Sequence, residues 1–263
     1  MTVFRLRKPT SRELNLLSAV GFLGFFIVWL LLSDSGLVSK QFLPSPADVL
    51  RELVAMVREP FAGYTIQQHL WSSFVRYIAG FGLAAIIGVP LGLMMGWFRW
   101  LDEIVSPLFD GLRFVAPVAW VPFAALWFGT GVGGPILIIF SGAFPPCVIN
   151  AYRGAKFVNR NLVEAGQMLG AGHFRMITEV LLPASVPSIL AGLRVSAGLG
   201  WMSLVGAELI AVSSGVGYLM VQGQSNINTA IVMAGMVSIG MVGVLIDAAL
   251  RRLEGQINRR RGR

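Results

Sequence analysis

The sequence predicts an all-α membrane protein with six transmembrane helices, a folded cytoplasmic loop, and both termini in the cytoplasm. Only 13% of its 263 residues are charged and its mean hydropathy is +0.71, whereas soluble domains carry about 25% charged residues. Six segments are apolar over the roughly 20 residues that a helix needs to cross a bilayer. Basic residues concentrate in alternate loops, which orients the helices by the positive-inside rule.

The six predicted spans are Asn15–Leu32, Leu70–Trp97, Ile104–Phe128, Gly133–Tyr152, Pro183–Ala207 and Thr229–Leu250. Residues 1–14 then form a cytoplasmic tail, 15–250 the membrane domain with its longest internal loop at 153–182, and 251–263 a basic cytoplasmic tail. The first span has no A-x-A cleavage site after its apolar run, so we interpret it as a retained anchor. Fifteen lysines and arginines face the cytoplasm in this topology and three face outward.

The first external loop contains the stretch LPSPADVLRELVAMV, which predicts a short amphipathic helix. Ser45 is a suitable N-cap, Pro46 suits the first helical position, and Asp48 complements the helix dipole. Its apolar face is formed by Val49, Leu50, Leu53, Val54 and Val57. Such a helix either lies on the membrane surface or packs as an ordinary loop helix.

The second span carries small residues at a spacing of four, namely Gly80, Ala84, Gly88, Gly92 and Gly96. This spacing places them on one helix face, where another backbone can approach closely. We favour tight packing within one subunit over a subunit interface.

The third span contains APVAWVP, with Pro117 and Pro122 deep in the apolar segment. Proline inside a membrane helix is tolerated where neighbouring helices or a cavity satisfy the freed carbonyl groups. Broken helices often line transport routes. The segment is therefore either part of a pathway or a structural kink.

Enzyme activity is not indicated by any motif. The two histidines, His69 and His173, do not form H-E-x-x-H, and there is no G-x-S-x-G elbow or Walker A loop. The single cysteine, Cys147, excludes an intramolecular disulfide and a multi-cysteine metal site. We expect no catalytic residues, no metal site and no cofactor in this chain. The distribution of basic residues matches anionic lipid headgroups and argues against nucleic acid as a partner.

The stretch NLVEAGQMLGAGHFRMITEVLLP, residues 161–183, interrupts the apolar spans within the internal loop. It predicts two short helices around a glycine turn, with Gly170 and Gly172 ending the first helix. Two such helices form either a compact knob outside the bilayer or an interfacial helix that only leads into the fifth span.

This stretch resembles the signature E-A-A-x3-G-x9-I-x-L-P of permease subunits of ATP-binding-cassette importers. The chain has Glu164, Ala165 and Gly166, then Gly170 and Ala171, and ends with Leu182-Pro183 at the same spacing. Gly166 replaces the second alanine, and Val180 replaces isoleucine. The segments FLPSP, LRFVAPVAWVPFAALWFG and VGAELIAVSSGVGYLM resemble the nitrate, sulfonate and taurine branch, although the third span lacks that branch's first proline at Ala116.

The resemblance implies a type I importer permease in a bacterial inner membrane. The signature residues would couple the permease to ATP hydrolysis, with ATP and magnesium bound by a separate ATPase. The implied partners are a second copy of the chain, two ATPase subunits and an extracytoplasmic solute-binding protein.

Charged side chains inside membrane spans need partners or a wet cavity, because burial costs about 2.5–3.5 kcal/mol on insertion scales. Arg76, Arg113 and Arg194 are such residues, and each either attracts an anion along a path or forms a salt bridge. Asp110 lies one turn before Arg113, and Glu208 lies near the outer end of the fifth span. The predicted translocation path comprises Arg76, Arg113, Pro117, Trp120, Arg194, Trp201 and Glu208.

The sequence thus favours import of a small anion by alternating access. A membrane anchor or sensor without transport, import of a different small solute, and a secondary transporter remain as alternatives. The last would need a driving-ion site, and the spans contain few carboxylates.

Overall fold

The computed structural model describes residues 11–36, 39, 41–129, 131–209 and 212–260, and no strand lies within them. Their helices are α1 (Ser11–Asp34), α2 (Pro46–Arg58), α3 (Ile66–Trp97), α4 (Arg99–Leu112), α5 (Val121–Phe128), α6 (Gly133–Lys156), α7 (Arg160–Met168), α8 (His173–Arg175), α9 (Leu182–Glu208), α10 (Val216–Ser225) and α11 (Thr229–Arg260). A 3-10 turn precedes α5, and a π-helical segment joins α8 to α9. Of the predicted tail at 1–14, residues 1–10 lie outside the described residues, and residues 11–14 belong to α1.

Within the described residues, five helical segments are long and apolar enough to span a membrane, and they contain α1, α3, α6, α9 and α11. The predicted third span is not one helix. It begins earlier, at Arg99, and breaks between α4 and Pro117–Phe128 with a bend of 88°. Proline lacks an N–H and fixes its own φ, so the chain leaves the helix before Pro117 and resumes in a 3-10 turn. Counting the broken pair as one span gives the predicted six.

Successive spans run in opposite directions, so the described ends of α1 and α11, Ser11 and Arg260, lie at the same end of the bundle. Helices α7 and α8, with the turn between them, form a unit that we call the knob (Arg160–Arg175). The knob protrudes at this end of the bundle, the knob end, while α2 and α10 lie at the opposite end. Helix α11 extends beyond Leu250, the predicted end of the sixth span. The described part of the predicted basic tail, up to Arg260, therefore belongs to this helix.

The centre of the bundle is α6, which packs against α3 on one side and α9 on the other. The small residues of α3 lie on one face, as predicted, and this face packs against α6: Gly88 lies against Cys147 and Phe144, and Gly92 lies against the backbone of Val148. The prediction that this glycine face serves packing within one subunit is confirmed. Close backbone approach of this kind maximises dispersion contacts where lipid provides no hydrophobic drive.

Replacing Gly92 by alanine is expected to destabilise the protein by about 1–3 kcal/mol, as overpacking does. A Cβ at this position would overlap the Val148 carbonyl oxygen, which belongs to the backbone and cannot rotate away. Gly82→Ala in the same helix is the matched control, because nothing lies within 4 Å of its Cβ position. There alanine should be neutral or stabilising by up to about 1 kcal/mol. Unfolding by denaturant in detergent micelles measures both variants, and equal effects would contradict the packing argument.

Helix α2 begins with the predicted cap. The Asp48 N–H donates to Ser45 Oγ at 3.2 Å, and the Ser45 N–H donates to Asp48 Oδ2 at 3.3 Å, a reciprocal capping box. Val49 and Met56 are buried in a cluster with Leu219 of α10 and Ile231 of α11. Helix α2 therefore packs against the bundle at the end opposite the knob, although Leu50, Val54 and Val57 of its predicted apolar face remain exposed.

Candidate functional site

The turn that ends α7 holds the knob in one shape. The Gly170 N–H donates to the Gln167 carbonyl and the Ala171 N–H donates to the Gly166 carbonyl, both at 3.0 Å. This is the Schellman arrangement, and Gly170 adopts the left-handed conformation it requires, with φ of +73°. Glycine at position 170 is thus explained by backbone geometry.

The knob is packed against the bundle on its inner side. Gly166 is buried, and Met176 and Val180 lie where a Cβ would project. The His173 ring lies 6.2 Å from the Trp97 ring, at the end of α3. The π-helical segment Met176–Leu181 then continues without a break into α9, whose first residues are Leu182 and Pro183.

The outer side of the knob exposes large apolar side chains. Met168, Leu169 and Phe174 are 87%, 86% and 81% exposed. Glu164 forms an exposed ion pair with Arg160 at 3.0 Å, one helical turn away, and Ala165 is exposed beside it. Exposed large apolar side chains in the segment between α6 and α9, close in sequence to charged residues, are typical of a surface that binds another protein.

A cavity of about 690 Å³ lies between the α4–α5 break, α6 and α9. Two predicted path residues, Arg113 and Pro117, line it. The other lining residues are Phe114, Val115, Val118, Ser141, Gly142, Pro145, Pro146, Ile149, Asn150, Arg153, Val195, Leu199, Met202 and Ser203. On α6 they recur at helical spacing from Ser141 to Arg153, a rise of about 18 Å. The cavity therefore extends from the middle of α6 to its knob end.

Trp120 and Trp201 lie outside this cavity. Trp120 borders a neighbouring cavity of about 190 Å³, which Arg113 also lines. Trp201 is buried, packs edge-on against the Tyr77 ring at 5.2 Å and donates Nε1–H to the Ile239 carbonyl at 3.1 Å. The structure thus gives Trp201 a packing role between α3, α9 and α11.

Arg194 joins α9 to α11 through carboxylates. Its Nε lies 2.7 Å from Asp247 Oδ1, and its Nη1 lies 3.9 Å from Glu254 Oε2. Arg251 shares the same Asp247 carboxylate. Arg194 borders two smaller cavities at this helix pair, and its charge is already compensated.

Arg76 and Glu208 form a buried ion pair at the end opposite the knob. Arg76 Nη1 donates to Glu208 Oε1 at 2.8 Å, and the two residues are only 7% and 1% exposed. Ser73 Oγ–H lies 2.8 Å from both carboxylate oxygens, and the Gly217 N–H donates to Oε2 at 3.1 Å. We call this group, with Ser214, the latch.

The latch fastens the loop before α10 to α3 and α9. Arg76 donates to the Ser214 carbonyl at 2.9 Å and to its hydroxyl at 2.5 Å. The Gly215 N–H donates to His69 Nδ1 at 3.1 Å. Gly215 has φ of +111° and lies so close to the Glu208 carboxylate that a Cβ would overlap it. Three helices therefore meet at one compensated charge pair.

Sequence reasoning missed four polar residues of the cavity, Ser141, Asn150, Arg153 and Ser203. It assigned Arg153 to the cytoplasmic loop, where basic residues are expected anyway. A usable signal was present, because Pro146, Asn150 and Arg153 recur at spacings of four and three and share one face of α6.

A family model and several known proteins match the sequence of this chain. Residues 88–263 match the family model described as "Binding-protein-dependent transport system inner membrane component". The taurine transport system permease protein of Escherichia coli strain K12 is 34% identical over 253 residues, covering 95% of this chain and 91% of that protein. The bicarbonate transport system permease protein of Synechococcus elongatus is 33% identical over 253 residues, covering 93% and 90%.

A solved structure supports the fold. The MetNI methionine ABC transporter in inward-facing conformations aligns with a TM-score of 0.62 at 18% identity, over 73% of this chain and 95% of the matched chain. At this identity the likeness concerns the fold. It shows that the fold of the aligned part of this chain is similar to that of a chain of this ABC transporter.

Proposed function

The chain belongs to the family of binding-protein-dependent transport system inner membrane components, and on this premise we propose that it moves a small anion into the cell by alternating access. As a member it is a multi-pass inner membrane permease and a transport subunit. The knob end faces the cytoplasm in this proposal, as the distribution of lysine and arginine predicts. The cavity at that end then corresponds to an inward-open route.

The proposed cargo is a sulfonate such as taurine, bicarbonate, nitrate or an anion of similar size. The named relatives support this class, because one is described as a taurine and another as a bicarbonate permease. The cavity supports it independently, since two arginines line it and none of its described lining residues is acidic. A solute-binding protein would deliver the anion at the end formed by α2 and α10.

The knob is the observation that carries the proposed coupling to ATP. Its apolar side chains protrude from the bundle, while its inner side is tied to α3 and continues into α9. An ATPase subunit that holds Met168, Leu169 and Phe174 would therefore move α9 when it changes shape. In this proposal Glu164, Ala165, Gly166, Gly170, Ala171, Leu182 and Pro183 shape the coupling element, and ATP and magnesium bind to the ATPase.

A second copy of the chain completes the proposed assembly. Apolar residues around the open side of the cavity, including Phe114, Val118 and Met202, are exposed in the single chain. Closing this side with an identical subunit would place the route between the two copies. Two permease subunits then present two knobs to two ATPase subunits.

Reconstitution tests the proposal directly. The chain is placed in liposomes with its ATPase and binding protein, and uptake of radiolabelled taurine and bicarbonate is followed with and without ATP. We expect ATP-dependent accumulation of at least one anion, together with co-purification of the ATPase. Binding of the ATPase without accumulation of either anion would contradict the proposed cargo and favour a membrane anchor or sensor, or import of a different small solute.

A further inference from the structure

The cavity beside α6 contains the cations in this chain best placed to meet an anion. Of the arginines within or bordering the spans, Arg76 is buried against Glu208 and Arg194 is paired with Asp247. Arg153 has no ion-pair partner among the described residues, and it lines the cavity at the knob end of α6. Arg113 lines its deeper part, and the Asp110 that pairs with it at 2.9 Å is not a lining residue.

On this basis we propose that the cavity is an anion-binding site in which Arg113 and Arg153 contact the transported anion. The inference rests on the proposed function and assigns its substrate contacts. One of the two amide N–H groups of Asn150 donates to the Pro146 carbonyl at 2.9 Å. The second has no partner among the described hydrogen bonds, and because Asn150 lines the cavity it offers a neutral donor to the anion.

The wall opposite these polar groups is apolar. Val195, Leu199 and Met202 recur along one face of α9 and line the cavity. The hydroxyl of Ser203 donates to the Leu199 carbonyl at 2.7 Å, so it offers no free hydrogen. A cavity with donors and cations on one side and an aliphatic wall on the other fits a small oxyanion with a compact or short apolar body, such as a short alkanesulfonate.

Charge-selective thiol modification tests this assignment without the partner subunits. Leu199→Cys is prepared in the full chain in detergent micelles and treated with an anionic reagent, sulfonatoethyl methanethiosulfonate, and with its trimethylammonium counterpart. Modification rates are measured by mass spectrometry and divided by the rates for mercaptoethanol in solution. The unsubstituted chain is the background, because its one cysteine, Cys147, is buried.

We expect the normalised rate for the anionic reagent to exceed that for the cationic reagent about tenfold, because a cleft lined by one sign of charge concentrates the opposite sign. Adding Arg113→Gln and Arg153→Gln should bring the ratio to within about twofold of unity. Arg160→Gln is the matched control, since it removes an exposed cation from the knob outside the cavity and should leave the ratio unchanged.

Two results would overturn the assignment. One is a ratio of modification rates that does not change when Arg113 and Arg153 are replaced by glutamine, and the other is a Leu199→Cys variant that neither reagent modifies. A second reporter, Asn150→Cys, must show the same preference and guards against a local folding defect at position 199. The outcome is separable from the import assay. ATP-driven uptake without charge selectivity in the cavity would contradict only the proposed anion-binding site. Charge selectivity without uptake would contradict the proposed function.

Discussion

Arg76→Met is expected to lower the free energy of unfolding by about 3–5 kcal/mol, the usual effect of removing one partner of a buried ion pair. The substitution leaves the Glu208 carboxylate, which is 1% exposed, with Ser73 and the Gly217 N–H as its remaining hydrogen-bond donors among the described residues. It also removes both hydrogen bonds to Ser214, so the loop before α10 loses part of its attachment to α3, while the Gly215–His69 hydrogen bond remains. Denaturant titration in detergent micelles, followed by circular dichroism, measures the change.

Two further variants separate the buried charge from lost packing. Arg76→Met combined with Glu208→Leu removes both charges and should recover most of the lost stability, because apolar replacements of buried ion pairs are often neutral. Arg99→Met breaks the exposed pair with Glu103 and should cost less than about 1 kcal/mol. A double variant less stable than Arg76→Met would show that the latch stabilises through its geometry and not through charge compensation.

Gly170→Val is expected to reduce ATP-dependent import about tenfold or more while the spans remain folded. Valine is strained at the φ of +73° that this position requires, and strain of about 1–3 kcal/mol shifts the turn away from its native shape. Both Schellman hydrogen bonds depend on that turn, and so does the position of Leu169 beside it. The measurement is the initial rate of uptake in the reconstituted system, together with the amount of ATPase subunit retained on the permease.

Gly172 provides a matched control two residues away. It has φ of −70°, and nothing lies within 4 Å of either glycine's Cβ position, so Gly172→Val adds the same bulk without backbone strain. Import should be close to that of the parent protein. Gly170→Asn should restore part of the activity, because asparagine tolerates the left-handed region. Equal losses in Gly170→Val and Gly172→Val would mean that side-chain bulk at the knob, and not its turn, disturbs coupling.

The spans and the knob were predictable because their signals are local. Hydropathy predicts the long helices, and the spacing of four predicts that the glycines of α3 share one face. Ser45 and Asp48 are the residue types expected at the start of a helix. The knob follows from helix-forming residues around Gly170. Each of these patterns is contained within a few turns of one helix, where the geometry of the chain relates sequence position to spatial position.

The latch and the cavity were harder because their partners are distant in sequence. Arg76 and Glu208 are 132 residues apart, and no spacing rule connects them. Pro117 predicts a disruption of the third span, but the 88° bend depends on how α5 packs across the ends of α6 and α9. Arg153 follows the positive-inside pattern of a loop residue, and only the packing of α4, α6 and α9 reveals that it borders a cavity.

Helix α9 has the properties of a lever arm. It runs unbroken for 27 residues, or about 40 Å. The π-helical segment joins one of its ends to the knob, and Glu208 pins the other to the loop before α10. A rigid rod of about that length that pivots at one end by about 10° displaces its far end by about 7 Å. In the proposed mechanism, a modest rotation imposed at the knob would move the far end of α9, together with the loop that Glu208 attaches to it, far enough to open or shut a passage for a small ion.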